Sequence, residues 1–520
     1  MPRIAISIVR LYTKAHLTRR KRIRKVDNML TIGIDIGTSA VKLLVMNESG
    51  QVIRTVSREY PLYMYNDGRS EQNPKDWWDE TAAGLKEITQ GLEPIAAVSF
   101  SGQMHGLVAL DEHDNVLRPA ILWNDQRTQA QCDYLNNVIG REKLLANAAN
   151  IALTGFTAPK ILWMRDNERH LFDKIHKVML PKDYIAYKLT GVFATDYSDA
   201  SGTLLLDVAR KDWSDTLLEI MGLTRAQVPA LYHSYQAIGT VTPKAADETG
   251  LPVAAKVVIG GGDQAVGAIG TGTVKSGTCS VSLGTSGVLF VAADDFAVDT
   301  GPSAIHSFCH ATGQYHLMGV TLAAAGSAKW WYEGILETSD YEKEQAAMAN
   351  NIGKNNVYYL PYLSGERTPH NDPLARGVFA GMSMTTTRSD MTQAVMEGVA
   401  FSLRDILSRV KDLGHTVTAA RIIGGGAKSP VWCQIIADVL HLKVEKINAT
   451  EGPAFGAAIL AMVGAGAFGT VEEACDKLIR ATDVYIPNQP AAESYDRHYP
   501  IYTGLYAALV GSFKAMSQVQ

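Results

Sequence analysis

The chain has little of the chemistry that marks several classes of protein. Its five cysteines are scattered without a Cys-x-x-Cys pair, and no histidine cluster stands at metal-ligand spacing. This pattern argues against a structural zinc site and a disulfide framework, and it favours reduced thiols and a cytoplasmic location. The formal net charge is only -4, which argues against nucleic acid or an anionic membrane as the main partner.

Long hydrophobic runs are also scarce, although 46% of the 520 residues are hydrophobic. The longest uncharged run, residues 453–471, consists mostly of alanine and glycine. It predicts a buried, close-packed helix followed by a loop, and not a membrane span. Because a chain of this length exceeds what one hydrophobic core comfortably serves, we expect two domains with a cleft between them.

Residues 1–28 differ from the rest of the chain in their charge. They are rich in arginine and lysine, and their one acid is Asp27. Such a composition is typical of a transit peptide or a nucleic-acid-binding arm, and the segment lacks the apolar core of a secretory signal. Because a second methionine, Met29, directly precedes the first strand, we favour a basic N-terminal extension that is disordered.

Two stretches of the chain repeat one short pattern, in which an alternating apolar strand leads into Gly-Thr-Ser and then into a second strand. The repeated residues are Gly37, Thr38 and Ser39, and Gly284, Thr285 and Ser286. Glycine at a hairpin tip permits positive φ, and successive N–H groups with the two hydroxyls can form an anion-binding nest. One copy alone would be an ordinary β-turn. The duplication, with Asp35 inside the first copy, predicts two turns that clamp a polyphosphate.

Polar loops follow two buried strands in the first half of the chain. The strand at residues 95–100 leads to Gln103, Met104 and His105, and the strand at 120–122 leads to Trp123 and Asn124. Ligands of α/β proteins sit at the carboxyl ends of strands, and an aromatic ring beside amide groups suits a polyhydroxylated ligand. From the residues alone, a histidine-capped turn and a helix N-cap remain the alternatives.

A third strand, at residues 257–259, runs into three glycines followed by Asp263 and Gln264. The glycines let another molecule approach the backbone, and an acid that starts a helix and points into a cleft can accept a hydroxyl proton. Aspartate is also a favoured N-cap. An N-cap, however, does not require three preceding glycines, so we favour a catalytic acid.

A further glycine triplet, residues 424–426, precedes a predicted helix at 431–440. It is not a Walker A loop, because Ala427 occupies the place of the glycine before Lys428. A flat glycine surface beside a helix start suits a purine and its ribose. We therefore expect Gly425, Gly426 and Ala427 to contact a nucleotide.

Together these motifs resemble the FGGY carbohydrate kinases of the actin, Hsp70 and sugar-kinase superfamily, and within them the kinases that act on D-xylulose. The resemblance covers residues 29 to about 513. Its most specific segments are residues 35–39, 103–106, 123–125, 155–163, 180–184, 260–263 and 282–287. It implies two α/β, ribonuclease-H-like domains: a sugar-binding domain at residues 29–274 and a nucleotide-binding domain at 275–513, with the catalytic cleft between them.

The resemblance also implies a role for each motif. Asp263 is expected to be the catalytic base, and Asp35 the second catalytic acid and the carboxylate that organises Mg²⁺. The residues expected to contact the sugar are Gln103, Met104, His105, Trp123, Asn124, Asp263 and Gln264. The residues expected to contact ATP are Gly37, Thr38, Ser39, Gly284, Thr285, Ser286, Gly425, Gly426 and Ala427. One departure is Gln264, because many kinases of D-xylulose carry asparagine at this position.

The implied activity is ATP-dependent phosphorylation of D-xylulose to D-xylulose 5-phosphate. The expected partners are the sugar and MgATP, with no nucleic acid or membrane, and a homodimer is left open. Two alternatives also stay open. The chain could phosphorylate another ketose or polyol, such as ribulose, gluconate or glycerol, because the fold does not fix the sugar. It could also be a non-catalytic nucleotide switch of the actin and Hsp70 type.

Overall fold

The computed structural model describes residues 29–301, 305–348, 351–448 and 452–519. The basic extension expected at residues 1–28 lies outside the described residues. No helix within the described ranges is long and apolar enough to cross a membrane. The uncharged run predicted to form a buried helix and a loop does so, because a helix occupies Gly452–Ala465 and is largely buried.

The first half of the chain alternates strands with short helices. Its strands are β1 (Leu30–Ile36), β2 (Ala40–Asn47), β3 (Val52–Glu59), β4 (Tyr63–Met64), β5 (Ser70–Gln72), β6 (Ile95–Gly102), β7 (Val108–Leu110), β8 (Ala120–Ile121), β9 (Lys177–Met179), β10 (Ala194–Asp196), β11 (Leu206–Asp207), β12 (Asp212–Trp213), β13 (Ala230–Tyr232), β14 (Ala237–Thr240), β15 (Lys256–Val258) and β16 (Gly261–Gly262). Its α-helices are α1 (Pro74–Ile88), α2 (Gln129–Asp133), α3 (Arg141–Ala148), α4 (Thr157–Asn167), α5 (Arg169–Phe172), α6 (Pro181–Thr190), α7 (Tyr197–Ser201), α8 (Asp215–Met221), α9 (Pro243–Thr249) and α10 (Asp263–Thr271).

The core of this half is a mixed sheet in the order β14-β15-β6-β1-β2-β3, with β16 also paired to β6. β1, β2 and β3 form an antiparallel meander, as their alternating sequence predicts, because short turns connect them. β6 and β15 join the sheet in parallel after longer crossovers. The carboxyl ends of β1, β6 and β16 therefore meet at one edge, where the predicted polar loops begin.

The second half repeats this plan. Its strands are β17 (Thr278–Leu283), β18 (Gly287–Ala293), β19 (His306–Cys309), β20 (Tyr315–Thr321), β21 (Tyr358–Leu360), β22 (Val378–Ala380), β23 (Ala419–Ile423), β24 (Lys443–Ile447) and β25 (Ala481–Tyr485). Its α-helices are α11 (Ala325–Lys329), α12 (Tyr341–Ala346), α13 (Arg388–Asp412), α14 (Pro430–Leu440), α15 (Gly452–Ala465), α16 (Val471–Leu478) and α17 (Gln489–Ser517). The sheet order is β19-β20-β18-β17-β23-β24-β25, so β17 and β18 correspond to β1 and β2.

Helix α15 connects the two halves. Although it follows β24 of the second sheet, it packs with α10 on the first sheet, mainly against β1 and β6. The contact is made by main chain: a Cβ atom added at Gly33 would lie 1.9 Å from the carbonyl oxygen of Ala454, and one added at Gly456 would lie 2.0 Å from that of Val266. The domain boundary after residue 274 stays a prediction, and α15 packs across it.

Candidate active site

Asp263 is the first residue of α10 and follows β16, which pairs with the end of β6. Its side chain is half-buried, and the polar groups of the adjacent Gln264 act to lower its pKa. Burial, followed by the negative charge of Asp35, raises the pKa of Asp263 to about 7. A carboxylate with this pKa is suited to accept a proton near neutral pH.

Asp35 lies at the end of β1, opposite Lys42 of β2 and Ser101 of β6. The charge of Asp35 contributes to the raised pKa of Asp263, so the two half-buried carboxyl groups interact electrostatically. Two neighbouring acids repel each other unless a cation lies nearby. The pair therefore fits Mg²⁺, which proteins bind through one or two carboxylates while phosphate and water supply the remaining oxygens.

Side chains hold the first Gly-Thr-Ser turn from behind. The carbonyl of Gly37 accepts hydrogen bonds from the hydroxyl of Tyr60 at 2.5 Å and from Nε2 of Gln103 at 3.2 Å. The carbonyl of Thr38 accepts from Nε2 of Gln72 at 2.7 Å. Because the carbonyls are bonded on this side, the turn keeps its shape without a ligand. Ser39 at its tip is exposed.

Gln103, which the sequence predicts as a sugar contact, is buried at 2% exposure behind this turn. Its amide nitrogen bonds Gly37 and also donates to Oε1 of Gln72 at 3.0 Å. The next residue, Met104, is 5% exposed and packs against Gly202 and Gly262. Gln103 thus contacts the phosphate turn, whereas Met104 lies beside the residue that precedes Asp263.

His105 lies between two elements of the first half. Its Nδ1 is 2.5 Å from the carbonyl oxygen of Gly202. Since a carbonyl can only accept, Nδ1 carries the proton, and Nε2 is left as an acceptor. Burial lowers the pKa of His105 to about 3, so the ring is neutral. Its own carbonyl accepts a hydrogen bond from Nζ of Lys160 at 2.8 Å.

Lys160 was not predicted to take part in the site. It is fully buried, its Nζ also donates to the carbonyl of Gly155 at 2.7 Å, and burial lowers its pKa to about 7. It therefore fixes the backbone of the histidine loop. The signal that could have found it is a lysine within the otherwise apolar helix run of residues 158–162.

Trp123 and Asn124 face the same edge. The indole ring of Trp123 is 45% exposed, and its Nε1 donates to Oγ1 of Thr38 at 3.0 Å. The sugar loop is thereby bonded directly to the phosphate turn. Oδ1 of Asn124 is buried and has no hydrogen-bond partner among the described residues, so its role as a sugar contact stays a prediction.

A cavity of about 1140 Å³ opens beside the second Gly-Thr-Ser turn. Among the residues that line it are Gly284, Thr285, Gly425 and Gly426, together with aromatic side chains from the segment after α11. A Cβ atom added at Gly425 would meet nothing within 4 Å, so this glycine presents an open face. The volume and the flat lining suit a nucleotide.

Five residues predicted to contact the nucleotide lie outside the wall of this cavity, namely Gly37, Thr38 and Ser39 of the first turn together with Ser286 and Ala427. Ser286 is half-buried at the end of the turn, and Ala427 is 6% exposed in the short 3₁₀ helix Gly425–Lys428. Their neighbours Gly284, in the same turn as Ser286, and Gly425, in the same 3₁₀ helix as Ala427, do line the cavity. The roles of Ser286 and Ala427 stay predictions.

Comparison with known proteins gives one consistent result. The models of the FGGY family of carbohydrate kinases match residues 30–270 with the N-terminal domain and residues 279–465 with the C-terminal domain. The chain is 40% identical over 481 residues to a xylulose kinase of Bacillus subtilis. The alignment covers 91% of this chain and 96% of the relative.

Two crystal structures extend this result. One is of a xyloylose kinase from Brucella ovis, with a TM-score of 0.88 and 37% identity, covering 93% of this chain and 99% of that chain. The other is of a gluconate kinase from Lactobacillus acidophilus, with a TM-score of 0.88 and 27% identity, covering 94% of this chain and 99% of that chain. The same fold therefore occurs in kinases named for a neutral and for an acidic sugar.

Proposed function

The chain belongs to the FGGY family of carbohydrate kinases, and we propose that it transfers the terminal phosphoryl group of ATP to the C5 hydroxyl of D-xylulose, forming D-xylulose 5-phosphate. The observation that carries the proposal is Asp263. It is a half-buried carboxylate with a pKa of about 7, on the sugar side of a fold with two Gly-Thr-Ser turns.

The choice of sugar rests on two supports. Relatives that are about 40% identical over most of the chain are named xylulose kinases. In addition, neutral His105 and the exposed Trp123 ring suit a small neutral sugar, because they offer a neutral hydrogen-bond acceptor and an apolar face. The structural likeness to a gluconate kinase keeps an acidic sugar as the second candidate.

In the proposed reaction, Asp263 accepts the proton of the C5 hydroxyl while that oxygen forms a bond to the γ-phosphorus, and the bond between the γ-phosphorus and ADP breaks. Neutral His105 offers Nε2 as an acceptor to a sugar hydroxyl. Asp35 and the first turn would hold Mg²⁺, which neutralises charge on the phosphate oxygens when bound. Gly284 and Thr285 would receive the nucleotide phosphates.

An ADP-release assay tests this proposal. We expect ADP release that depends on D-xylulose, with much lower rates for D-ribulose, D-gluconate and glycerol. Faster release with one of those sugars would reassign the substrate. ADP release at the same rate with and without sugar would favour the nucleotide-switch alternative, because such a protein needs no sugar to hydrolyse ATP.

We also propose a cytoplasmic location. All five cysteines are buried free thiols, which suits a reducing compartment. Size-exclusion chromatography with light scattering would show whether the homodimer forms, and that assembly stays a prediction.

A further inference from the structure

Arg367 lies in a loop of the second half that no motif of the sequence singled out. Both of its neighbours are fixed to the end of β20. The backbone N–H of Thr368 donates to the carbonyl of Val320 at 3.0 Å, and the N–H of Val320 donates to Oγ1 of Thr368 at 3.1 Å. The backbone position of Arg367 is therefore set by the sheet and does not depend on a ligand.

Glu366 on the other side is buried at 1% exposure, and its carboxylate is occupied by the same sheet. Oε2 accepts from the hydroxyl of Thr321 at 2.6 Å, and Oε1 accepts from the backbone N–H groups of Leu322 at 3.1 Å and Arg367 at 2.7 Å. Thus Glu366 holds the backbone of Arg367 and forms no salt bridge with its guanidinium.

The guanidinium of Arg367 has no hydrogen-bond or ion-pair partner in the described ranges. The side chain is only half-buried overall, yet partial burial lowers its pKa. The charge of Glu366 partly offsets the cost of this burial, but the guanidinium donors stay unpaired, and such groups prefer to donate to carboxylates or phosphates. The arrangement therefore leaves a place for an anion that the described residues do not supply.

Two observations relate this cation to the sugar site and to the phosphate turn. Burial is the main cause that lowers the pKa of His105 and of His306, and the positive charge of Arg367 adds to it in both; the two rings pack against the Phe156 ring at centroid distances of 4.8 Å and 5.7 Å. On its other side, Thr321, which bonds Glu366, pairs with Gly287, the residue directly after the second Gly-Thr-Ser turn.

We propose that Arg367 is a catalytic residue that binds the oxygens of the phosphoryl group while it passes from ATP to the sugar. This proposal rests on the function proposed above. The guanidinium stays protonated throughout, since the hydroxyl proton goes to Asp263 and the displaced electron pair leaves on ADP. Its donors would stabilise the charge that spreads over the phosphoryl oxygens.

The same guanidinium could instead bind the carboxylate of an acidic sugar such as gluconate. The two roles differ in what the enzyme loses when the charge is removed. A phosphoryl contact acts on kcat, whereas a contact to a sugar carboxylate acts on the binding of that sugar. We favour the phosphoryl group because both neighbours of Arg367 are bonded to the end of β20, which pairs with the strand that directly follows the second Gly-Thr-Ser turn.

The test compares Arg367→Met and Arg367→Lys with the control Arg376→Met, which removes an exposed arginine of the same loop whose Nη1 bonds backbone carbonyls. The measurements are kcat and KM with D-xylulose and MgATP, and calorimetric affinity for D-xylulose alone. We expect Arg367→Met to lower kcat on the order of 10³-fold and to change sugar affinity less than threefold. Arg367→Lys should recover about tenfold of the loss, because it keeps the charge but not the fork.

Three results would overturn the proposal. The first is a kcat of Arg367→Met within threefold of the wild type. The second is a loss of more than tenfold in D-xylulose affinity at unchanged kcat. The third is a wild type that prefers D-gluconate and loses affinity for it in Arg367→Met. A wild type that releases no ADP with any neutral sugar would overturn the proposed function as well, whereas an active wild type with an equally active variant overturns only the role of Arg367.

Discussion

The two Gly-Thr-Ser turns share a sequence but are held in place by different parts of the molecule. Side chains of Tyr60, Gln72 and Gln103 donate to the carbonyls of the first turn. The carbonyls of the second turn accept from main chain instead: Gly284 accepts from the N–H of Ala325 at 2.8 Å, and Thr285 accepts from Ala324 and Gly326. The first turn is thus linked to the sugar loop, and the second to the nucleotide cavity.

A second difference lies two residues before each glycine. The first copy has Asp35 at this position, and the second has Ser282. Since the charge of Asp35 adds to burial in raising the pKa of Asp263, the acid chemistry is concentrated on the first turn. The second turn contributes only neutral hydrogen-bond donors. One repeated motif therefore serves two tasks, and the residues around it determine which task each copy performs.

The largest expected loss of kcat comes from replacing Asp263, the carboxylate next to the first turn. Asp263→Asn keeps the shape of the side chain but cannot accept the hydroxyl proton, so kcat should fall by about two to four orders of magnitude. Steady-state ADP release measures the loss, and calorimetry should show D-xylulose affinity changed only slightly. The exposed Asp295→Asn is the control. Near-normal turnover of Asp263→Asn would contradict its role as the base.

The next largest loss of kcat is expected when the first Gly-Thr-Ser copy is given the residue that precedes the second copy. Asp35→Ser gives both turns the same residue and removes the carboxylate proposed to organise Mg²⁺, so kcat should fall at least about 100-fold. A Mg²⁺ titration of ADP release measures the change, with Asp295→Ser as the control. An unaltered Mg²⁺ requirement together with full activity would show that Asp35 is not needed.

The pH dependence follows from the same asymmetry. Asp263 must be ionised to accept a proton, and its pKa is raised to about 7. In the wild type, kcat/KM for D-xylulose should therefore fall about tenfold for each pH unit below this value, and it should be level just above it. A pH-rate profile between pH 5 and 8 measures this. An acid limb near pH 4 would mean that Asp263 is not perturbed in the free enzyme.

Disturbing the main-chain support of the second turn should affect the nucleotide alone. A Cβ atom at Gly326 would lie 2.8 Å from the carbonyl oxygen of Thr285, so Gly326→Ala forces the turn to shift. Overpacking of this kind costs about 1–3 kcal/mol, and we expect KM for ATP to rise about tenfold while KM for D-xylulose stays within twofold. Gly504→Ala, where a Cβ meets nothing within 4 Å, is the control.

The smallest effect is expected from loosening the side-chain support of the first turn. Gln103→Leu removes the bonds to Gly37 and Gln72, each worth about 1 kcal/mol, so kcat/KM for D-xylulose should fall about fivefold. KM for ATP should change less than in Gly326→Ala. Gln131→Leu, which removes a side-chain bond to Asp166 and none to either turn, is the control. Equal changes for both substrates would contradict the division of tasks between the turns.

Much of the fold could be predicted from local sequence patterns. The meander of β1 to β3, the two hairpins and the helix at Gly452–Ala465 follow from alternation, turn residues and small-residue composition, which depend on neighbours in the sequence. The resemblance to sugar kinases supplied the pairing of the two halves. Small errors remained at element ends: the strand predicted at residues 95–100 continues to Gly102.

The parts of the site that depend on distant packing were harder to predict. Gln103 is next to Met104 in the sequence, but its amide faces the phosphate turn because Tyr60, Gln72 and Gly37 surround that position. Arg367 follows a buried glutamate in a loop without periodicity, and its position is fixed only once β20 has formed. Contacts of this kind join residues that are distant in the sequence, and no short motif describes them.

The crossing of α15 over the first sheet has a consequence for how the polypeptide can be divided. Because glycine main chain of α15, α10 and β1 is in direct contact, the face of the first sheet is completed by residues that come almost 200 positions after the family's N-terminal region ends. A fragment that stopped near residue 274 would expose Leu44, Met46 and Val266 to water. The halves are related by pattern, but the first half needs α15 of the second to complete its core.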